Sequence, residues 1–295
     1  MKVSIIVPNY NGRELLEKNI PHVLKAKDNP KNEIKEVVVV DDGSIDDSLS
    51  VLNQFKGQIK VIKHTKNRGF SSAVNTGVRS SSGDLIVLLN SDVVPSENFL
   101  ESVLSIFDDQ KIFSVSFHEK GYGFAKGSFE DGYIKLAMGK ESKKIENSFY
   151  VSGGSGAFRK SIWKDLGGLD ENLLSPYYWE DVDLCFRASK RGYQNLWTPE
   201  SNVTHVHEST ISKLPRKNVD KIRERNQLLV IWKNIHSTNL IKKHIKAVTT
   251  RAIKHPGYFT VIFAALLRLS AVLKARKKEI KECVVGDEAV FQKYQ

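Results

Sequence analysis

The sequence predicts an α/β protein: a mostly parallel sheet flanked by helices, followed by a helical C-terminal segment. Three observations carry this expectation. Short apolar runs, as needed by parallel strands buried on both faces, alternate with helix-period segments four times in the first 107 residues. Polar and acidic residues gather just after those runs, where open α/β sheets bind ligands. Charge is also divided: residues 1–211 hold 26 Lys/Arg against 28 Asp/Glu, whereas residues 212–284 hold 18 against 4.

The elements follow in order. "VSIIVP" (3–8) is a buried strand stopped by Pro8. "GRELLEKNIPHVLKA" puts Leu15, Leu16, Ile20, Val23 and Leu24 at helical spacing. "KEVVVVDDGS" is a second buried strand ending in two acids and a turn, and "DDSLSVLNQF" a helix. "IKVIKH" is the third strand, "GFSSAVNTGVRSS" a helix of small residues, and "DLIVLLNSD" the fourth strand. "SENFLESVLSIF" (96–107) has a capping-type start at Ser96 and predicts a helix. Residues 118–150, rich in Gly, Lys and Ser, show no regular element and read as an insertion or mobile loop. Order resumes with "FYVSGGSGAFRKSIWKDLGG". Residues 212–236 and 240–283 read as helices, which divides the chain into a domain of residues 1–211 and a basic helical segment of residues 212–295.

Composition narrows the class. With 295 residues, 40% of them apolar, the chain can bury a substantial core. Its two cysteines, Cys185 and Cys283, lack metal-type spacing, which points to a reducing, cytoplasmic setting. "VSIIV" is too short for a secretory leader, and the longest apolar run, 259–273, is interrupted by Arg268 and too short to span a bilayer. The net charge of +11 resides in the C-terminal segment, away from the motif-bearing part, and no nucleic-acid recognition motif occurs; nucleic acid is not the expected partner. Residues 253–283 join "IFAALLRLSAVL" to "KARKKEIK", the pattern of an interfacial amphipathic helix that docks on the inner face of the cytoplasmic membrane; a homodimerisation helix is the alternative.

Neither the dinucleotide fingerprint GxGxxG nor the P-loop GxxxxGK[ST] follows the first strand. The most unusual stretch is "YYWEDVDLCF" (177–186), with three carboxylates in four positions beside aromatic and apolar residues. A helix starting near Glu180 aligns Glu180, Asp183 and Arg187 on one stripe, with Asp183 and Arg187 as an i,i+4 pair contributing a few tenths of a kcal/mol. Asp181 shares the apolar stripe of Leu184, Cys185 and Ala188 and so points inward at the helix N-terminus. The helix dipole favours its ionised form and burial opposes it.

The segments "SIIVPNYNG", "VVVVDDGSIDDS", "NRGFSSAVNTG", "DLIVLLNSD", "GGSGAFRKSIWKDLGGLDENL", "WEDVDLCFRASKRGY" and "PESNVTHVHESTIS" occur in that order. Together they resemble the inverting family 2 glycosyltransferases with the GT-A (Rossmann-like) fold. The resemblance covers residues 2–211, with "RERN" (223–226) as a further match, and the look is that of bacterial enzymes of cell-surface polysaccharide assembly, rhamnosyltransferase-like members included.

The resemblance implies a nucleotide-diphosphate sugar donor, a glycan or lipid-linked acceptor and a divalent cation, Mg²⁺ or Mn²⁺. It makes Asp41 the acceptor for a pyrimidine N–H, with Asp42 as the alternative, and sets Pro8, Asn9 and Tyr10 around the nucleoside. Arg68 would meet the base or the phosphates. Asn90-Ser91-Asp92 stands at the family's DxD position; since Asn90 is neutral, the metal falls mainly to Asp92, joined by His205, with His207 as the competitor. Asp181 would be the general base, supported by Glu180, with Trp179 stacking on a sugar. Gly154 and Ser155 would border donor or acceptor. Two other readings stay open. A sugar-nucleotide nucleotidyltransferase needs a glycine-rich basic loop after strand one, which "PNYNGREL" lacks. A non-catalytic nucleotide-sugar-binding module is kept in view by Asn90.

Overall fold

A computed structural model describes residues 1–205 and 215–295. The alternation expected at the N-terminus is present: strands β1 (Val3–Asn9), β2 (Ile34–Asp41), β3 (Lys60–Lys63) and β4 (Leu85–Leu89), with helices α1 (Arg13–Asp28), α2 (Ser48–Gln54) and α3 (Phe70–Ser80) between them. All their mutual pairings are parallel. Val37 to Val40 of β2 are completely buried because helices cover both faces, so every side chain of the run, not alternate ones, must be apolar.

The chain continues through β5 (Val93–Pro95), β6 (Ile112–Glu119), β7 (Ala125–Glu130), β8 (Tyr133–Met138), β9 (Glu146–Asn147), β10 (Ser155–Arg159), α4 (Lys160–Leu166), α5 (Glu180–Lys190) and β11 (Gln194–His205). The nine-stranded sheet runs β3-β2-β1-β4-β10-β6-β11-β5, with β9 also on β11. β10 enters antiparallel between β4 and β6, β11 returns parallel to β6, and the short β5 and β9 lie antiparallel to β11. The fold class expected from sequence, a mostly parallel sheet flanked by helices with a helical C-terminal region, is the one observed.

Two expectations need correction. Residues 96–107 form turns and a 3₁₀ segment at Leu104–Asp108, not an α-helix. The backbone groups an α-ladder needs are taken by side chains: Asn29 and Asn32 both donate to the Glu97 carbonyl, at 3.0 and 2.8 Å, and Asn32 Oδ1 accepts the Leu100 N–H at 3.2 Å. The tighter winding still buries Phe99, Leu100, Val103 and Phe107. Residues 118–150 are not a loop either. They contain the β7–β8 hairpin, whose Gly127 N–H donates to the carbonyl of Tyr294 near the C-terminus.

The C-terminal region comprises α6 (Arg216–Asn234), α7 (Thr238–Lys254), α8 (Phe259–Leu266), α9 (Leu269–Glu282) and α10 (Asp287–Lys293). The single amphipathic helix expected over 253–283 is broken twice, by a 3₁₀ turn at Pro256–Tyr258 and by a 65° bend between the last two long helices. Pro256 has no N–H to continue the ladder, and the bend lets Val261, Ala265 and Val272 all reach the core. That core joins Leu228, Leu229 and Ile231 of α6 to Phe149 and Phe186, and α10 closes it: Phe291 stacks on Phe149 with centroids 5.8 Å apart. Two further apolar clusters fill the two faces of the sheet. Among the described residues no single helix is long and apolar enough to cross a membrane.

Candidate active site

At the carboxyl ends of β1 and β2, two buried aspartates organise the backbone. Asp41 accepts from Asn9 Nδ2 at 2.9 Å and from Ser44 Oγ at 2.5 Å. Asp42 accepts from the N–H groups of Arg68 (3.0 Å) and Gly69 (2.8 Å) and lies 2.6 Å from His64 Nδ1. It therefore clamps the loop after β3. Neither caps α2; that carboxylate belongs to Asp46, which accepts from Ser48 N–H. Gly43 makes the turn possible. Its φ is +72°, and a Cβ there would stand 2.5 Å from the Lys66 carbonyl carbon. Arg68 is half-exposed with its guanidinium 3.7 Å from Glu171, and Pro8 and Tyr10, at the end of β1, are partly exposed.

The turn Asn90-Ser91-Asp92 follows β4. Asn90 N–H donates to the Gly154 carbonyl at 2.8 Å, and a Cβ on Gly154 would stand 2.5 Å from Asn90 Nδ2 and push that side-chain amide aside. Ser91 offers its carbonyl to Asn19. Asp92 is buried, and the β5–β11 register, which pairs His205 with Val93, delivers the imidazole to it: His205 Nε2 lies 3.1 Å from Asp92 Oδ2. The other ring nitrogen is 3.7 Å from Glu119 at the end of β6. Burial lowers the His205 pKa, but the hydrogen bond and charge of Asp92, with Glu119 behind, hold it above the ordinary value. Glu119 was not among the residues singled out from sequence, because it opens the stretch read as irregular; the alternation of "IFSVSFHE" was the available signal. His207 lies outside the described residues.

Across from this pair, α5 begins with Glu180 and Asp181. Asp181 accepts from its neighbour Val182 N–H at 2.8 Å and from Gly153 N–H at 3.4 Å. Its pKa is raised by burial, against those backbone hydrogen bonds. Glu180 is more enclosed: its Oε2 has no hydrogen-bond partner among the described residues, and burial, then the charge of Asp181, push its pKa up to about 8. The two carboxyls share a site that resists a second negative charge. Tyr150 beside them is pushed to about 12 by burial and by Asp181.

The i,i+4 pair Asp183–Arg187 is fully interior, which corrects both the few tenths of a kcal/mol assigned to it and the choice of Asp181 as the inward acid: Asp183 is completely buried, whereas Asp181 is partly exposed in the cavity wall. Asp183 accepts from Arg187 Nε at 2.8 Å, Lys233 Nζ at 2.9 Å and Asn234 Nδ2 at 2.7 Å, so it fastens α5 to α6. Burial opposes its charge, but Lys233 and Arg187 hold its pKa down at about 2.

The segment leading into α5 is strained. Tyr178 and Trp179 have φ of 71° and 75°, left-handed values that cost about 1–3 kcal/mol each for such residues. Asn226 of "RERN" holds them there, donating from Nδ2 to the carbonyls of Leu174, Tyr177 and Tyr178. Arg225 adds a bond to the Ser175 carbonyl. The sequence showed these two only as a further motif match; their role depends on contacts some fifty positions away.

A cavity of about 380 Å³ opens at this end of the sheet. Asp181, Trp179, Ser155 and His205 line it together with Glu119 and Tyr150, while Leu136 and Met138 of the hairpin, with Tyr178 and Arg223, form its outer wall. Asp92 joins through His205. Pro8, Asn9, Tyr10, Asp41, Asp42, Arg68, Asn90, Ser91, Gly154 and Glu180 do not line this cavity.

Residues 4–166 match the profile of Glycosyl transferase family 2. The chain belongs to that family. Among its relatives is a pre-mycofactocin glycosyltransferase of Mycobacterium tuberculosis, 32% identical over 71% of this chain and 43% of its own length. The O-antigen chain rhamnosyltransferase WbaN of Salmonella anatum is 24% identical over 70% of this chain and 67% of its own. This family 2 chain thus spans less than half of the first relative. Among solved structures, GalNAc-T7 with UDP, GalNAc and Mn²⁺ superposes with a TM-score of 0.66 at 16% identity, covering 88% of this chain and 57% of that one. TarS of S. aureus with UDP-GlcNAc gives 0.59 at 17%, covering 96% and 82%. The fold is that of the GT-A glycosyltransferases.

Proposed function

We propose that this family 2 protein is an inverting glycosyltransferase, moving a sugar from a nucleotide-diphosphate donor to a hydroxyl of a glycan or lipid-linked acceptor in cell-surface polysaccharide synthesis. One observation carries the reading: Asp181 and the His205–Asp92 pair open into one cavity at the carboxyl end of the sheet. Asp181 takes the proton of the acceptor hydroxyl as its oxygen attacks the anomeric carbon. The bond from that carbon to the diphosphate breaks on the opposite face, and the nucleoside diphosphate leaves with the bonding pair. A single displacement inverts the centre and needs no carboxylate nucleophile. Glu180, protonated at neutral pH, limits the negative charge around the base, and Trp179 offers its ring to a sugar.

The donor set suits a hard divalent cation. A carboxylate oxygen and an imidazole nitrogen stand 3.1 Å apart, and two protein ligands suffice where diphosphate oxygens complete the shell. Diphosphate oxygens and water would supply the remaining ligands. Asp92 and His205 would hold Mg²⁺ or Mn²⁺, with Asn90 as a neutral neighbour, and the ion would neutralise the leaving diphosphate. GalNAc-T7 and the mannosyltransferase PcManGT of Pyrobaculum calidifontis, both solved with Mn²⁺, support this choice. Asp41 and Arg68 are the proposed contacts to base and phosphates. Asp42 is committed to the 66–69 loop as Asp41 is to Asn9 and Ser44, and it stays the alternative to Asp41 for that task.

The test is a thermal-shift screen of UDP-, dTDP- and GDP-sugars with and without Mn²⁺, followed by transfer assays with the stabilising donor. Asp181→Asn is expected to keep donor binding and lose transfer. Donor binding with no transfer or donor hydrolysis by the unaltered chain would favour a binding module instead.

A further inference from the structure

The face built by α7, α8 and α9 combines bare apolar side chains with an excess of positive charge; among the described residues only Arg251 and Lys278 of its basic side chains pair with an acid, Glu224 and Glu282. From residue 238 to 278 the sequence has ten Lys/Arg and no Asp or Glu. In the same stretch Ile245, Phe263 and Leu267 are 59%, 63% and 70% exposed. Phe259, Phe263, Leu266 and Leu267 recur at the spacing of one helical face, and Leu269 and Leu273 continue it on α9. Ile245, Leu266 and Leu269 rim a groove of about 270 Å³ floored by Trp232 and His244. Burial lowers the His244 pKa, so the floor carries no charge at neutral pH. Exposed Lys242 and Lys246 flank Ile245, and exposed Lys274 and Lys277 follow Leu273.

We propose that this face docks the protein on an anionic lipid bilayer, lying in its surface rather than crossing it. The inner side of α8 and α9 is committed to the protein core through Val261, Ala265 and Val272, and the 65° bend follows that core. Crossing a bilayer would strip these contacts; lying flat keeps them and puts the outer Phe and Leu side chains among acyl chains with lysines at the phosphates. Charge argues against a second copy, since two-fold pairing would oppose two faces of the same sign. Nucleic acid would satisfy the lysines but leave Phe259, Phe263 and Leu267 in water. An anionic bilayer satisfies both. The surface lies outside the proposed active site, so its test is independent of donor turnover.

The experiment is co-sedimentation of the full chain with vesicles of phosphatidylcholine alone and of phosphatidylcholine with phosphatidylglycerol, across a salt series. Binding to the anionic vesicles that weakens with salt is expected. Phe263→Glu with Leu267→Glu should weaken it by about tenfold or more. Lys242→Glu with Lys246→Glu should weaken it on the order of tenfold and flatten the salt dependence. All four positions are exposed, so unchanged melting curves are expected and serve as the folding control. Binding equal on neutral and anionic vesicles, or unaffected by the two apolar changes in a folded variant, overturns the proposal. So does a concentration-dependent dimer that the Phe263/Leu267 variant abolishes in the absence of vesicle binding, which would make the partner a second copy.

Discussion

The side-chain amide of Asn226 donates to the carbonyl of Tyr178 at 2.9 Å, and the same nitrogen reaches the carbonyls of Leu174 and Tyr177. Through this residue, with Arg225 beside it, α6 sets the conformation of the segment that delivers Trp179 and Asp181 to the cavity. Asn226→Ala leaves these carbonyls without their donor and frees two left-handed residues to relax. The expected stability loss is about 1–3 kcal/mol. A shift of Asp181 should lower kcat on the order of 10²-fold with donor affinity little changed. Steady-state kinetics with a donor-binding titration check this; an equal loss in both would mean that Asn226 serves only the fold.

The Asp183 network makes a second, purely structural prediction. Asp183 is shared by Lys233 and Arg187, and Lys233 also reaches Asp170, so removing Lys233 takes one cation and one hydrogen bond from a buried carboxylate that keeps Arg187. Lys233→Ala should cost about 1–3 kcal/mol, with melting as the readout. Because the folded pKa of Asp183 is depressed to about 2 from 3.8, its contribution is present above the unfolded value and lost as pH falls through the folded one. The unaltered protein should lose stability on acidification in that window, and Asp183→Asn should flatten the acid limb. Parallel acid limbs for the two proteins would refute the assignment.

These two cases show what could be read in the chain and what could not. β1, β2 and β4 were legible because burial on both faces writes itself as uninterrupted Val, Ile and Leu. Helical periodicity set Asp181 beside Leu184 and Cys185 as the inward acid, yet Asp183 is the completely buried one, because Lys233 and Asn234 of α6 cover a stripe that the local pattern leaves to solvent. The meeting of His205 with Asp92 was implied by the family resemblance alone; the β5–β11 register that produces it is encoded by no local pattern. The β7–β8 hairpin was hidden for a related reason. Its strands, "AKGSFE" and "YIKLAM", are polar or half-exposed, and they are held by distant partners, Tyr294 through the backbone and Phe291 against Phe129. In residues 96–107 the pattern was helical, yet Asn29 and Asn32 took the backbone groups a helix would use.

The His205–Asp92 contact predicts how a cation would be lost. Asp92→Ala removes the hard oxygen ligand, and His205→Ala removes the only other described donor within contact of that oxygen. Both variants should lose the Mn²⁺-dependent part of donor stabilisation in a thermal-shift titration. Asp92→Ala should be the more damaging, since carboxylate is the better ligand for a hard ion. Asn90→Asp should strengthen Mn²⁺ dependence by adding a charge beside Asp92. A donor shift independent of Mn²⁺ in the unaltered protein would remove the cation from the proposal.

The paired carboxyls at the start of α5 predict an alkaline effect of the opposite sign to that of Asp183. Glu180 has a folded pKa raised to about 8, against an ordinary value of 4.5, through burial and then the charge of Asp181. A raised carboxyl contributes stability that is complete below its unfolded pKa and lost as pH rises through the folded one. The window therefore runs from about 4.5 to about 8. Glu180→Gln keeps the shape, carries no proton to lose and should melt progressively higher than the unaltered protein as pH climbs through that window. The two should coincide in acid. Transfer should respond differently: Asp181 must be ionised to accept a proton, and its pKa is also raised by burial, so the rate should grow with pH on the acid side. Glu180 stays protonated while Asp181 ionises, so replacing one neutral group by another should leave that limb nearly in place in Glu180→Gln. Melting curves that stay parallel across the window would show that Glu180 does not hold its proton in the folded protein.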